Sequence, residues 1–237
     1  MKTIKIDFLI IIPCRRNSSR VKFKNRRLIN NKKLYEITIE QAKKFENKKN
    51  RVVVNTDDEE ILNYCKINNI SFYKRKKIFS SNKSRVSESI IDMIKYKYPT
   101  DKYEIKNIML LQVTSPLRSN LDIKKSLRLY KSKNYKSLCS VSESSVNSEW
   151  LNTLNKNKSL LNFLPKKYLN INSQDLPKSY GVNGAVFISD LAGYFKYKRF
   201  FNRPNSIAYV MPESNSLDID TEFDYKMCKA LMEMDNL

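Results

Sequence analysis

The sequence predicts an α/β fold built on a mostly parallel sheet with helices on both of its faces. Between residues 6 and 141, short β-branched apolar runs alternate with segments whose apolar residues recur at helical spacing. The apolar runs lack the in-and-out alternation of half-exposed strands, as is typical of strands buried on both faces. A long basic loop follows the first run, at a position where open α/β sheets bind ligands. These observations favour a Rossmann-like sheet.

Each apolar run is predicted to form one strand. We expect strands at residues 6–13, 51–55, 70–73, 108–113, 137–141, 184–188 and 207–211. Helical spacing predicts helices at residues 34–45, from residue 57 or 58, at residues 88–98 and 121–130, and from Thr221 onwards. The last helix is expected to direct four side chains inward, those of Phe223, Met227, Ala230 and Leu231.

The chain of 237 residues is long enough for one substantial core, so we predict a single domain over residues 1–237. From residue 142 to residue 180 the pattern weakens. Ser, Asn and Lys dominate there, with Trp150, Leu160 and Phe163 among them. We interpret this segment as an excursion from the sheet that contacts a second subunit.

The formal net charge of +21 favours polyanionic partners, which include nucleic acids and phosphorylated substrates. The chain is also rich in Lys, Asn and Ile and contains only 3 Gly, so much of this charge reflects composition. No recognition helix or RNA-binding motif accompanies the charge, and no apolar run approaches the roughly 20 residues that span a bilayer. We therefore expect neither a nucleic-acid partner nor a membrane partner.

Histidine is absent from the sequence, which excludes Ser-His and Cys-His triads and every histidine metal site. Acid and base chemistry must come from carboxylates, Lys, Tyr or metal-bound water. The cysteines are far apart in the sequence, at positions Cys14, Cys65, Cys139 and Cys228. Their spacing predicts free thiols in a reducing, cytoplasmic compartment.

The loop at residues 12–25 reads IPCRRNSSRVKFKN and follows the first strand directly. Its cations can neutralise phosphate, and its hydroxyl and amide groups can give direction to the binding. An ordinary solvated basic loop is the alternative. The loop lacks the glycines and the Gly-Lys-Ser/Thr ending of a Walker motif.

Two aspartates, Asp218 and Asp220, are spaced i and i+2 in a segment predicted to be extended, so both carboxylates face one way. Two hard oxygen ligands suit Mg²⁺, which also takes water and phosphate oxygens. The alternative is that Asp220 or Thr221 caps the last helix. In the same way, Asp57 or Asp58 can cap the helix that follows the second strand.

The basic loop resembles the phosphate-binding signature of the acylneuraminate cytidylyltransferases, the enzymes that load sialic, legionaminic and pseudaminic acids onto CMP. The loop departs from that signature at Cys14, Ser19 and Lys22. The matching residues are Pro13, Arg15, Asn17, Ser18, Lys24 and Asn25.

Further motifs resemble the same family, in the family's order along the chain. Residues 110–118 read LLQVTSPLR, and only Val113 differs from the family pattern. Residues 182–188 (VNGAVFI) and 217–224 (LDIDTEFD) resemble two later family motifs, and Arg75 matches an arginine that reaches the nucleotide. Two positions depart, with Asn82 in place of an aspartate and Ser173 in place of an arginine that helps to position the sugar.

The resemblance implies a fold of the nucleotide-diphospho-sugar transferase type and a cytidylyltransferase that joins CTP to a 2-keto acidic sugar. It implies that Arg15 holds the triphosphate and that Lys24 stabilises the α-phosphate. The same nucleotide site would include Asn17, Ser18, Asn25 and Arg75. Gln112 and Asn183 would contact the sugar, Asp218 and Asp220 would hold Mg²⁺, and the catalytic residues would be Lys24, Arg15 and Asp218.

The resemblance also implies a homodimer formed through the 142–180 excursion. Three alternatives stay open at this point. The first is a cytidylyltransferase for Kdo (3-deoxy-manno-octulosonate) or another acidic sugar. The second is a homologue that binds nucleotide without turnover. The third, supported by charge alone, is a nucleic-acid-binding module.

Overall fold

The computed structural model describes residues 3–16, 21–81, 84–201 and 203–234. The strands are β1 (Ile4–Cys14), β2 (Leu28–Ile29), β3 (Lys32–Lys33), β4 (Asn50–Thr56), β5 (Phe72–Lys74), β6 (Tyr103–Leu111), β7 (Ser137–Glu143), β8 (Tyr180–Asp190) and β9 (Ser206–Val210). The helices are α1 (Leu34–Lys43), α2 (Glu59–Ile67), α3 (Val86–Lys97), α4 (Asn120–Ser132), α5 (Leu191–Tyr197) and α6 (Glu222–Met234).

A seven-stranded sheet in the order β5-β4-β1-β6-β8-β7-β9 forms the centre of the described part of the chain. β1 runs parallel to β4 and β6, β4 runs parallel to β5, and β7 runs parallel to β9. Only β8 within this sheet is antiparallel to its neighbours, β6 and β7. The predicted mostly parallel sheet is therefore confirmed.

The sheet is buried on both faces, as the continuous apolar runs predicted. Ile10 and Ile12 of β1 pack with residues of α1, α2, α4 and α6, while Leu9 and Ile11 pack with residues of α3 and α5. Each fully buried aliphatic side chain of this kind contributes about 1.5–3 kcal/mol relative to exposure. The sequence prediction of helices on both faces is confirmed.

The segment between β7 and β8 contains short 3₁₀ turns at Ser148–Trp150, Lys166–Tyr168 and Ser173–Asp175. It departs from the strand and helix alternation, as predicted. It leaves a set of large apolar side chains exposed, namely Leu151, Leu154, Leu160, Leu161 and Leu169. The subunit contact assigned to this segment stays a prediction.

The predicted inward face of the last helix is wrong. Phe223 is 70% exposed, and Met227, Ala230 and Leu231 are also exposed. The side chains that pack on the core are instead Tyr225, Cys228 and Met232. Arg27 supports this rotation, because its guanidinium lies 4.2 Å from the ring centroid of Tyr225 and pairs with Glu222.

Two short elements were not predicted from the sequence. The β2–β3 hairpin turns at Asn30 and Asn31, which have positive φ angles of 49° and 61°. Asparagine is one of the residues that adopt positive φ angles most readily, which suits both turn positions. Helix α5 is only 7 residues long, too short for a helical period to stand out.

All four cysteines are buried and free, which confirms the prediction of free thiols. None of the helices in the described ranges is both long and apolar enough to cross a bilayer.

Candidate active site

A cavity of about 550 Å³ opens at the carboxyl edge of β1 and β6. Its size is within the usual range of small-molecule sites. Six of the predicted site residues line it, namely Arg15, Lys24, Asn25, Arg75, Gln112 and Asp220. These residues belong to separate motifs in distant parts of the chain, and the fold brings them together at one edge of the sheet.

Four predicted site residues are placed differently. Asn183 and Asp218 line a second cavity beside the start of β8. Asn17 and Ser18 lie outside the described residues, as do Ser19 and Asn82.

The basic loop is held at its base by the end of β4. Asp57 Oδ1 accepts a hydrogen bond of 2.8 Å from the backbone N–H of Arg16, and Thr56 Oγ1 donates to the carbonyl of Cys14. From the far side of the loop, Asn25 Nδ2 donates to the carbonyl of Arg15 at 2.9 Å. These contacts tie together the two ends of the loop at the mouth of the cavity.

Arg75 is a buried cation that lines the cavity. Its Nε donates to Asn55 Oδ1 and its Nη2 to the carbonyl of Asn55, both at 3.2 Å. Asn55 is in turn held by Ser89 Oγ at 2.8 Å. Burial lowers the pKa of the Arg75 guanidinium, and the charge of Asp57 opposes that effect. The hydrogen bonds to Asn55 therefore hold the Arg75 guanidinium in a fixed orientation at this wall of the cavity.

Lys24 and Asp220 form an ion pair at the edge of the cavity. Lys24 Nζ lies 3.1 Å from Asp220 Oδ1 and donates to the carbonyl of Ile219 at 2.6 Å. The side chain of Lys24 is only 11% exposed. An ammonium group held between a carboxylate and an open cavity is suited to an anionic ligand.

The pKa of the Asp218 carboxyl group is raised above its ordinary value. Burial raises the pKa of Asp218, a hydrogen bond with Thr114 lowers it, and the nearby charge of Asp220 raises it further. Asp218 Oδ1 is buried and has no hydrogen-bond partner among the described residues. Two neighbouring carboxylates, one with an unpaired oxygen, favour a bound cation.

The chemistry of this pair fits a divalent cation only with help from substrate. Among the described residues, no cluster of three or more His, Cys, Asp or Glu side chains is arranged to hold a metal ion. Asp218 and Asp220 could therefore supply two oxygen ligands, and water and phosphate would have to supply the others.

The capping alternatives are resolved by the hydrogen bonds. Asp224 Oδ2 accepts from the backbone N–H of Thr221 at 2.7 Å, and Thr221 Oγ1 accepts from the N–H of Asp224. Thr221 therefore caps α6, while the Asp220 carboxylate pairs with Lys24. At α2 the cap is Asp58, whose carboxylate accepts from the N–H of Glu60.

The side-chain amide of Asn183 forms hydrogen bonds to other residues of the protein. Its Oδ1 accepts from Ser140 Oγ at 2.6 Å and its Nδ2 donates to Ser216 Oγ at 3.1 Å. Asn183 is 6% exposed and does not line the cavity that contains Gln112. The amide ties β8 to β7 and to the segment before Asp218.

Gly184 lies between the two groups of site residues. It has a φ of +75°, and a Cβ there would lie 3.3 Å from Gln112 Nε2 and 3.8 Å from Asp218 Oδ2. The glycine thus allows the backbone of β8 to approach both side chains closely.

Replacement of Gly184 by alanine is expected to lower the free energy of unfolding by about 1–2 kcal/mol, because of the left-handed backbone and the contact with Gln112. Urea unfolding measures this change. Gly181→Ala is the matched control, because nothing lies within 4 Å of its Cβ position. Equal effects of the two substitutions would contradict the account of Gly184.

One wall of the cavity was not predicted from the sequence. This wall follows α5 and consists of Lys198, Arg199, Phe200 and Phe201, with Tyr194 beneath it. The Lys-Arg-Phe-Phe run was a local signal for this wall. Its place in the cavity depends on the antiparallel direction of β8, which was not predicted from the sequence.

The family of the chain follows from comparison with known sequences. The sequence model of the family described as Cytidylyltransferase matches residues 9–180. The chain belongs to the cytidylyltransferase family.

Relatives of this cytidylyltransferase include proteins from several bacteria. It is 29% identical to the N-acylneuraminate cytidylyltransferase of Escherichia coli O18:K1:H7, over 98% of this chain and 54% of that protein. It is 32% identical to the protein of the same name from Streptococcus agalactiae serotype V, over 92% of this chain and 51% of that protein. The chain therefore spans about half the length of these two relatives.

A third relative has a similar length. The CMP-N,N'-diacetyllegionaminic acid synthase of Legionella pneumophila is 28% identical over 95% of this chain and 96% of that protein.

Solved structures support the fold. The CMP:2-keto-3-deoxy-manno-octonic acid synthetase complexed with CTP superposes with a TM-score of 0.66 at 14% identity, over 97% of this chain and 99% of that chain. A 4-diphosphocytidyl-2C-methyl-D-erythritol synthase from Anaerococcus prevotii gives a TM-score of 0.63 at 13% identity, over 96% of this chain and 99% of that chain. The predicted nucleotide-diphospho-sugar transferase fold is confirmed.

Proposed function

We propose that this cytidylyltransferase transfers CMP from CTP to the anomeric hydroxyl of a 2-keto acidic sugar, sialic acid or a related nonulosonic acid, and releases pyrophosphate. The observation that carries the proposal is the convergence of Arg15, Lys24, Arg75, Gln112 and Asp220 in one cavity of a family member. The names of the relatives point to the same class of sugar.

The strand order divides the cavity into two halves. Arg15 follows β1 and Arg75 follows β5, so both cations lie on the β5-β4-β1 side of the sheet. Gln112 follows β6, and the wall after α5 lies towards β8. We assign the first half, with Asn25 and the basic loop that contains Asn17 and Ser18, to CTP, and the second half to the sugar.

Residues of the chain supply the charge neutralisation and positioning that phosphoryl transfer needs. Arg15 is proposed to hold the triphosphate, and Lys24 to neutralise the charge that develops on the α-phosphate. Asp218 is the third proposed catalytic residue, and it would act through the metal ion that it holds together with Asp220.

Mg²⁺ is the proposed cofactor, with Asp218 and Asp220 as its protein ligands. When bound, the ion would neutralise phosphate charge. The buried, unpaired Asp218 Oδ1 and the neighbouring Asp220 support this assignment.

Gln112 is proposed to contact the sugar directly, since it lines the cavity at the end of β6. For Asn183, the internal hydrogen bonds support an indirect role in which the residue holds Gly184 and β8 in place beneath the sugar.

The 142–180 excursion is proposed to form a homodimer contact, supported by its exposed leucines. A cytoplasmic location is proposed from the four free thiols. A second candidate sugar is 3-deoxy-manno-octulosonate, because the cytidylyltransferase of that name from Wigglesworthia glossinidia brevipalpis is 33% identical over 54% of this chain and 49% of that protein.

Pyrophosphate release tests the proposed function. The purified chain is given CTP and Mg²⁺ with N-acetylneuraminic acid, N,N'-diacetyllegionaminic acid or 3-deoxy-manno-octulosonate in turn. We expect release that requires one of these sugars, fails with ATP or GTP, and is lost when EDTA removes the metal. Absence of release with every sugar would contradict the enzymatic proposal, and release without metal would contradict the role of the two aspartates.

A further inference from the structure

Two cations that the sequence motifs did not include line the candidate sugar half of the cavity. Lys198 and Arg199 directly follow α5 and belong, with Phe200 and Phe201, to the segment that we call the 198–201 loop. Helix α5 packs against β6 and β8, whereas Arg15 and Arg75 follow β1 and β5. The 198–201 loop therefore lies on the β6–β8 side of the cavity, whereas Arg15 and Arg75 lie on the β5-β4-β1 side.

The 198–201 loop is anchored at its apolar residues. The ring of Phe200 is buried, with its centroid 4.6 Å from that of Tyr194 and 5.5 Å from that of Phe187. Lys198 caps α5 with a left-handed φ of 53°. This conformation turns the chain sharply out of the helix, so the loop starts in a defined direction.

An ion pair formed by a buried arginine holds the C-terminal side of the same segment. Arg203 pairs with Asp190 and also donates to the carbonyl of Lys136. Gly193 makes room for this guanidinium, because a Cβ there would lie 1.8 Å from Arg203 Nη1. The loop is thus fixed at both ends, so a ligand that binds its cations loses less free energy to ordering of the loop.

The positive charges of Lys198 and Arg199 are not paired with carboxylates of the described residues. Both residues are exposed, and within the described part of the chain neither forms an ion pair with a carboxylate. Lys24 and Arg75 differ, since Lys24 pairs with Asp220 and Arg75 is held by Asn55, whereas Arg15 has only a 3.5 Å contact with the carbonyl of Ser81. Two uncompensated cations on the wall of a cavity favour an anionic group of the ligand.

We propose that Lys198 and Arg199 bind the carboxylate of the sugar substrate and so select acidic over neutral sugars. The inference rests on the proposed function, which supplies the substrate class. A 2-keto sugar acid carries its negative charge on that single carboxylate, and a lysine beside an arginine can bind it with charge-assisted hydrogen bonds. Of the remaining cations, Arg15 and Arg75 lie with the nucleotide half, and Lys24 is paired with Asp220.

The test uses the double variant Lys198→Gln/Arg199→Gln and the sugar that supports turnover by the unchanged protein. We expect the KM for the sugar acid to rise roughly 10- to 100-fold, the usual range for loss of charge-assisted hydrogen bonds, with a change of less than about twofold in the KM for CTP. The unchanged protein is also expected to prefer the acid over its neutral methyl ester, and the double variant to lose that preference.

Lys196→Gln is the matched control. Lys196 is exposed in the last turn of the same helix but does not line the cavity, so its loss tests general charge and the helix dipole. We expect its kinetic constants to match those of the unchanged protein. The single variants Lys198→Gln and Arg199→Gln, each checked by thermal melting, keep the test valid if the double variant does not fold.

The outcomes separate the two proposals. If the unchanged protein releases no pyrophosphate with any sugar acid, the proposed function fails and this inference fails with it. If the unchanged protein is active but the variants keep the sugar KM and the preference for the acid, only this inference is overturned. A rise confined to the KM for CTP would also overturn it, because the two cations would then serve the triphosphate.

Discussion

Asp218→Asn is expected to reduce the turnover of CTP and sugar by roughly 100- to 1000-fold, comparable to the loss of one pre-oriented charge-stabilising group in other enzymes. The protein should stay folded, with an unchanged or higher melting temperature. Burial and the charge of Asp220 both raise the pKa of Asp218, which means that the charged carboxylate destabilises the folded protein. The neutral amide of asparagine removes this destabilisation. Pyrophosphate release and thermal melting measure the two effects.

Glu222→Gln is the control for this substitution. Glu222 also carries a carboxylate at the start of α6, but it is half-exposed, pairs with Arg27 and lies outside the cavity. We expect near-full turnover from this variant. If Asp218→Asn keeps a rate close to that of Glu222→Gln, or lowers the melting temperature strongly, the assignment of Asp218 to the reaction is wrong.

Arg118→Ala is expected to lower the free energy of unfolding by about 3–5 kcal/mol, because it leaves buried acceptors without a donor and opens a cavity. Arg118 is 1% exposed. Its Nη1 donates to the carbonyls of Gln112 at 3.0 Å and Ala185 at 2.8 Å, and its Nη2 donates to Gln41 Oε1 at 2.7 Å. Burial lowers the pKa of this guanidinium to about 9. Urea unfolding measures the loss.

Two further variants separate hydrogen bonding from packing at Arg118. Arg118→Met fills much of the space without donating, so we expect it to recover only part of the stability. Arg128→Ala removes an exposed arginine from α4 and should change stability by less than about 0.5 kcal/mol. An Arg118→Met variant as stable as the unchanged protein would show that the three hydrogen bonds do not brace the end of β6.

Much of the fold could be predicted because its signals are local. The core of every strand of the large sheet was predicted to within a few residues, since buried runs such as residues 6–13 have few alternatives. The rotation of α6 was not predictable in the same way. Apolar residues lie on more than one side of that helix, and the buried side depends on packing against core residues that are distant in sequence.

The site residues show the same difference between local signals and contacts with distant residues. Motif matches identified Arg15, Lys24, Gln112 and Asp220, and the structure brings all four to one cavity. The same reasoning assigned Asn183 to the sugar, yet the side-chain amide is engaged by Ser140 and Ser216. A motif specifies which residue is present, but the partners of a polar side chain depend on neighbours that are remote in sequence.

The α/β class, the family resemblance and the residue types available for chemistry, including the absence of histidine, could all be read from the sequence alone. The antiparallel direction of β8, the ion pair of Lys24 with Asp220 and the presence of the 198–201 loop in the wall of the cavity became evident from the folded chain. Strand propensity and motif identity are properties of short segments. Strand direction, ion pairing and cavity walls are set by contacts between segments far apart in the chain.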